Sequence, residues 1–267
     1  MVLLGKWMKN KVKLITIIKN RLEHFLKTFP FMVSQYGVDY ELFIVDYHSN
    51  DGLQEAIKEQ IGFRKDSFSP YLKKIVSINL LEDLKFSTKK SKNLGASYCS
   101  RDDVLAFTDV DVLLSMDYLL HWSAKIEKGS TFVTTRRKDT AASNPKRIRP
   151  EINYGNFIVH AEDYFNICGM DESRLHWGGA DDDIFHRLKL YGLDEINPYG
   201  AFDAKQYSIL HGDELRLSSL EDTNRYNSDT IFKDIFSNKD RHRSKESSFL
   251  NFDYSSNKSE KVILYEK

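Results

Sequence analysis

Only two cysteines occur in this chain, Cys99 and Cys168, far apart, with no C-x-x-C and no histidine at zinc-site spacing. That excludes a disulfide framework and a cysteine-based zinc site, and it fits buried free thiols in a reducing compartment. Net charge is also missing. Lysine plus arginine and aspartate plus glutamate both number 39, so no overall field draws the molecule to nucleic acid, and no nucleic-acid partner is expected. Nowhere does the chain approach the ~18 uninterrupted apolar residues of a membrane-spanning helix. The start, Met1 to Lys11, has a short apolar patch but no signal-type core or cleavage site. The expected location is therefore cytoplasmic, with at most a peripheral contact on the inner face of a membrane. No internal repeat is evident, and no glycine-rich phosphate loop with a basic signature follows the first apolar run.

What is present is enough for a folded domain: 41% hydrophobic and 13% aromatic residues over 267 positions. Val12 to Ile18 is apolar and β-branched and predicts a buried parallel strand. Arg21 to Met32 then carries Leu22, Phe25, Leu26 and Phe29 at helical spacing. Tyr40 to Val45 predicts a second strand that runs into an Asn/Asp/Gly loop from Asp46 to Gly52. Leu53 to Ile61 and Lys89 to Ser100 read as helices, Lys74 to Asn79 and Val104 to Thr108 as strands. This alternation describes an α/β fold with an open, twisted, mostly parallel sheet flanked by helices. Ligands of such sheets bind at the carboxyl ends of the strands, where Asp46 and Asp109 fall. Further on, Thr131 to Thr135, Gly155 to His160 and Tyr207 to His211 read as strands, Ala161 to Ile167 and Ala180 to Tyr191 as helices. From about Glu214 the chain turns polar and serine-rich, which predicts an appendage of helix and loop over 214–267.

Two acidic clusters stand out. Asp109-Val110-Asp111 follows a buried apolar run, and side chains two apart on an extended segment point the same way. Two carboxylates so placed suit a hard divalent cation; the alternative is a loop cap or turn. His211, at the end of an apolar strand and ahead of Gly212, is a candidate third ligand or a structural histidine. In Trp177-Gly178-Gly179-Ala180-Asp181-Asp182-Asp183 the glycines allow close approach of the backbone to a ligand, and the indole offers a stacking face for a sugar. The three acids fit the first turn of a helix, where the dipole favours carboxylates. One cap needs one acid, so another is available to take a proton from an acceptor hydroxyl. Lys90 and Lys92 open a helix near where a diphosphate would lie, or form a solvated face. Arg136, Arg137, Lys138, Arg147 and Arg149 form a basic loop suited to phosphate, an anionic acceptor or a membrane surface, or to no specific contact.

Taken in order, these motifs resemble those of GT-A fold glycosyltransferases. Lys19-Asn20-Arg21-Leu22-Glu23-His24-Phe25 is similar to an R-N-R-x-E-H-L segment, Val45 to Gly52 to V-D-x-x-S-x-D-G, Lys92 to Gly95 to R-N-x-G, and Phe107 to Asp111 to F-x-D-x-D. Tyr154-Gly155-Asn156, Gly169 to Glu172 and Trp177 to Asp183 resemble the G-G-[FM]-D-E…W-G-G-E-D-D-D block of the galactosyltransferase and chondroitin-polymerase type.

The resemblance covers roughly residues 12–212. It implies a GT-A domain over 1–213, with a nucleotide-binding half of about 12–111 and an acceptor half of about 112–213, ahead of the 214–267 appendage. It implies that Lys19, Arg21 and Asp46 contact the nucleotide, with Lys90, Lys92, Tyr154 and Gly155 also on the donor side. Asp109 would reach the ribose, or the metal through water. Asp111 and His211 would bind Mn2+ or Mg2+, and Trp177, Gly179 and Asp182 would line the acceptor site. Asp181 would be the general base of an inverting transfer from a UDP-sugar to a glycan or lipid-linked oligosaccharide hydroxyl, in capsule or O-antigen synthesis. A retaining transferase and a non-catalytic nucleotide-sugar-binding subunit are the alternatives. Two positions depart from the pattern: Ala180 stands where the family has Glu, and Lys19 where it has Arg. The latter keeps the charge but loses bidentate phosphate geometry.

Overall fold

A computed structural model describes residues 11–81, 86–135, 155–172, 179–198, 204–209 and 259–267. Its first apolar run forms β1 (Val12–Ile18), every residue of which is buried. Then follow α1 (Leu22–Met32), β2 (Tyr40–Asp46), α2 (Leu53–Arg64), β3 (Leu72–Leu80), α3 (Thr88–Ser97), β4 (Val104–Asp109) and the short β5 (Val112–Leu114). The second half supplies α4 (Tyr118–Ser123), β6 (Thr131–Thr134), β7 (Phe157–His160), α5 (Ala161–Asn166), α6 (Ala180–Leu190), β8 (Asp194–Ile196), β9 (Gln206–Ser208) and β10 (Ser259–Glu266).

Among the described residues, eight strands form one sheet in the order β10-β3-β2-β1-β4-β7-β6-β8, and β5 pairs with β9 in a second, two-stranded sheet. The β3-β2-β1-β4 block is parallel throughout. β7 enters antiparallel to both β4 and β6, and β6 pairs parallel with β8. Two apolar layers cover the sheet. One packs Phe25, Phe29 and Met32 of α1 and Ile57 of α2 against Leu14, Leu42 and Ile75. The other packs Leu94 of α3, Tyr164 of α5 and Phe185 of α6 against Ile15, Phe107 and Phe157. β1 therefore has an apolar side chain for each layer in turn, which is why it reads as a continuous apolar run and not as an alternation. Thr16 and Lys13, both buried, are the exceptions, and Lys13 carries a charge. The Lys13 ammonium, buried at the amino end of the sheet, lies 2.7 Å from Glu41 and 3.7 Å from Asp103.

Two expectations need correction. Val110 and Asp111 form a turn between β4 and β5, so the Asp-x-Asp segment is not extended beyond Asp109. And Ser259–Glu266, expected within an appendage of helix and loop, is a strand of the main sheet. It runs antiparallel to β3 from Ser259↔Leu80 to Glu266↔Lys74, with a bulge between Ile263 and Tyr265. Tyr265 meets Phe68 edge to face at 5.1 Å. Residues 210–258 of the 214–267 segment and its approach lie outside the described residues.

Candidate active site

The parallel strands end together. In register, Ile18 pairs with Asp46 and Ile17 with Asp109, so the two acids flank the carboxyl end of β1, as that topology demands of a ligand site.

On one flank, two loops lock into each other. Asn20, held at φ 52°, accepts at its side-chain oxygen from the Asn50 N–H at 2.9 Å. It also donates its own N–H to the Ser49 hydroxyl at 3.0 Å. Asp51 accepts from the Leu22 N–H at the start of α1 at 2.8 Å. Asp46 is buried, and its carboxylate accepts from the Ser49 N–H at 2.8 Å and from the Gln54 side chain. The acid thus shapes the loop as well as marking the strand end. Lys19 places its ammonium 5.7 Å from the centre of the Tyr47 ring, and Arg21 sits at the N-cap of α1.

On the other flank lies the tightest assembly. Lys92 comes from the middle of α3 and is only 2% exposed. Its ammonium donates to the Gly155 carbonyl at 2.8 Å and to Asp181 Oδ1 at 3.4 Å, and it lies 4.0 Å from Asp109 Oδ1. The Asp109 and Asp181 side chains remain 31% and 28% exposed, so both carboxylates form the open lip of a site whose floor is a buried cation. Gly155 is what lets Asp109 sit there, because a Cβ on it would stand 2.1 Å from Asp109 Oδ2.

Helix α6 opens at Gly179, in the left-handed region at φ 68°, and presents the three aspartates in its first turn. They divide. Asp181 turns to Lys92. Asp183 is buried and accepts from Arg187 Nε at 2.9 Å, while Arg187 Nη1 donates to the Ile167 carbonyl at 3.0 Å. That pair is structural, and the i,i+4 spacing of Asp183 and Arg187 was its signal in the sequence. Asp182 stays partly exposed at the same helix start. Lys90 is half-buried near the start of α3, and its N–H is capped by the Ser87 hydroxyl at 3.3 Å.

Two buried amides hold the site and were not singled out from the sequence. Asn156 accepts from the Asp109 N–H at 2.9 Å and donates to Thr108 Oγ1 at 3.1 Å and to Gln206 Oε1 at 2.7 Å, which ties β4 to β9. Asn93, beside Lys92, donates to the Met170 carbonyl at 3.0 Å and to Glu172 at 2.7 Å. It accepts from the Met170 N–H at 2.9 Å and from the Tyr164 hydroxyl at 2.6 Å. α3 thereby fixes the Gly169–Glu172 turn. Both fall in motif segments, Lys92 to Gly95 and Tyr154 to Asn156, but no local pattern shows these roles, since their partners lie far away in sequence.

Asp111 is partly exposed in the turn after β4, and its carbonyl accepts from the Ile209 N–H at 2.7 Å. Ile209, just after β9, is thereby held beside Asp111. Tyr154, Trp177 and His211 themselves lie outside the described residues, as does the basic stretch 136–154. Among the described residues, no three His, Cys, Asp or Glu side chains group as a metal site. The donors that are described fit Mn2+ or Mg2+: Asp109 and Asp111 offer hard oxygens, and the Gly155 backbone cradles the first carboxylate where a side chain would collide with it.

This architecture matches solved glycosyltransferases over most of this chain. A mutant of Drosophila β-1,4-galactosyltransferase 7, solved with manganese, UDP-Gal and xylobiose, superposes with a TM-score of 0.54 at 17% identity, over 91% of this chain and 84% of that one. The chain carries the GT-A glycosyltransferase fold. Residues 1–349 of Staphylococcus aureus TarS, in complex with UDP-GlcNAc, give a TM-score of 0.60 at 15% identity, over 92% of this chain and 73% of that one. The mannosyltransferase PcManGT from Pyrobaculum calidifontis, solved with GDP-Man and Mn2+, gives 0.53 at 19% identity, over 71% of this chain and 55% of that one. In sequence, residues 137–211 match the family described as the N-terminal domain of galactosyltransferase. Among curated proteins, none matches in sequence.

Proposed function

We propose that the protein is a metal-dependent glycosyltransferase that moves a hexose or N-acetylhexosamine from a UDP-sugar to a hydroxyl of a glycan or lipid-linked oligosaccharide, with inversion. The observation that carries this reading is the convergence of Asp109, at the end of β4, and Asp181, at the start of α6, on one buried ammonium. An acid of the nucleotide half and an acid of the acceptor half meet at the mouth of a GT-A sheet.

In the proposed step Asp181 takes the acceptor hydroxyl proton as the acceptor oxygen forms its bond to the sugar C1. The bond from C1 to the diphosphate oxygen breaks on the opposite face, and its electron pair leaves with UDP. Lys19, Arg21 and Asp46 hold the nucleotide at the interlocked loops, with Lys90, Tyr154 and Gly155 on the donor side. Trp177, Gly179 and Asp182 orient the acceptor. Asp111 and His211, with Asp109 through water, would hold a manganese or magnesium ion, which when bound neutralises charge on the leaving diphosphate. The matched structures support the cofactor and donor class, since two of those proteins were solved with manganese and two with UDP-sugars. The resemblance of the tryptophan block to the chondroitin-polymerase type supports a setting in capsule or O-antigen assembly, at most peripheral to a membrane. Among the described residues, no helix is long and apolar enough to cross one.

The test is nucleotide release from a panel of UDP-sugars, with GDP-mannose alongside, in manganese. One UDP-sugar should be consumed, Asp111→Ala should abolish turnover, and Asp181→Asn should bind UDP yet fail to transfer. Proton NMR of the first-formed anomer reads inversion directly. Consumption of GDP-mannose alone would overturn the donor assignment, and binding without turnover on any acceptor would favour a non-catalytic subunit.

A further inference from the structure

Lys92 is a poor candidate for a ligand of the donor. It lies in the middle of α3, where Ser91 to Ala96 are all buried, and an ammonium removed from water must be paired to be tolerated. The pairing is complete without any ligand: the Gly155 carbonyl at 2.8 Å, Asp181 Oδ1 at 3.4 Å, Asp109 Oδ1 at 4.0 Å, and the Phe157 ring with its centre at 5.5 Å. Three N–H donors on a compact point charge can serve three such partners at once. Those partners come from β4, the bend at Gly155 just ahead of β7, and the first turn of α6, so one buried cation touches all three.

We propose that Lys92 is a positioning residue for the transfer reaction: it fixes Asp181 Oδ1 relative to Asp109 and Gly155, so that the other oxygen of Asp181 meets the acceptor hydroxyl beside the bound donor. This rests on the reading of Asp181 as the base. Lys92 sets the distance between the two halves of the site from beneath, and contributes little to holding the nucleotide. A misplacement of about 1 Å at a reacting group costs on the order of 10²-fold in rate, which is the scale of effect expected from losing it.

The experiment compares wild type, Lys92→Arg and Lys92→Met with the full chain in manganese. It measures UDP binding by calorimetry, and saturated kcat and KM for donor and acceptor with the UDP-sugar that the wild type consumes. Lys92→Met should lose about 10²-fold in kcat while the Kd for UDP moves by less than about threefold, and Lys92→Arg should recover part of the loss. In an Asp181→Asn background, Lys92→Met should cost little more, because both changes remove one interaction. If Lys92→Met does not fold, Lys92→Arg decides alone: a lower kcat at unchanged UDP affinity supports the proposal. A Kd for UDP that weakens in step with kcat/KM while saturated kcat holds makes Lys92 a donor ligand and overturns it. So does a full further loss in the Asp181→Asn background. A wild type that consumes no nucleotide sugar sinks the glycosyltransferase reading itself, and this proposal with it.

Discussion

Gly155 packs so closely on Asp109 that one added carbon would stand 2.1 Å from the carboxylate oxygen. The far end of an aspartate can swing aside, so Gly155→Ala should fold and yet push Asp109 out of line. The expected outcome is a melting temperature close to wild type with about 10²-fold slower transfer and weaker manganese-dependent UDP binding, read by calorimetry. An unchanged rate would mean that Asp109 has no fixed place in the reaction.

The three aspartates of α6 should separate in stability measurements. Asp183→Asn leaves Arg187, 1% exposed at its side chain, without its anionic partner. Breaking a buried pair from one side costs about 3–5 kcal/mol, which a urea midpoint would show at once. Asp181→Asn, at the open lip, should cost far less stability and nearly all of the transfer activity.

Asn93 has both N–H donors and both oxygen lone pairs engaged in a buried network. Asn93→Ala would remove all four of these buried hydrogen bonds at once, each worth about 0.5–1.5 kcal/mol. The predicted signature is a large drop in the denaturation midpoint together with faster proteolysis in the Gly169–Glu172 turn.

Acid should weaken the protein through His160. This residue caps α5, its Nδ1 accepting from the Glu162 N–H at 3.3 Å, which requires a neutral ring nitrogen at that position. Burial holds its pKa below the ordinary 6.5, with Lys128 pushing the same way and Asp163 and Glu162 pulling against it. A depressed folded-state value means stability that is present above pH 6.5 and lost as pH falls through that lower value. His160→Asn keeps a capping acceptor that does not titrate. Its unfolding free energy should depend less steeply on pH just below pH 6.5. Equal pH slopes in the two proteins would assign the acid sensitivity to another group.

Much of this was legible from the residues alone. β1, β2 and β4 announce themselves as apolar runs because both of their faces are covered, and the acids that end β2 and β4 mark the mouth of the sheet. Lys92 was less transparent: a lysine on a helix reads as solvated or as a phosphate contact, and nothing local shows that distant acids bury it. Asp183 was drawn into the catalytic motif although Arg187, four residues on, was its partner. β10 escaped notice because a strand that completes an edge needs only one covered face, and Ser259 to Glu266 mixes charge with its apolar residues.

The pairing of β10 with β3 has a consequence for how the protein is made. A chain synthesised from its amino end forms β1, β2 and β3 early, and leaves β3 with an open row of N–H and C=O groups along one side. The strand that closes this row follows every other described element in the chain. Throughout translation of the acceptor half, the nucleotide half therefore waits with an edge able to pair with another nascent chain. Ribosome-bound intermediates should be the most aggregation-prone form of the protein, and a premature stop after Leu80 and before Ser259 leaves that hazard permanent.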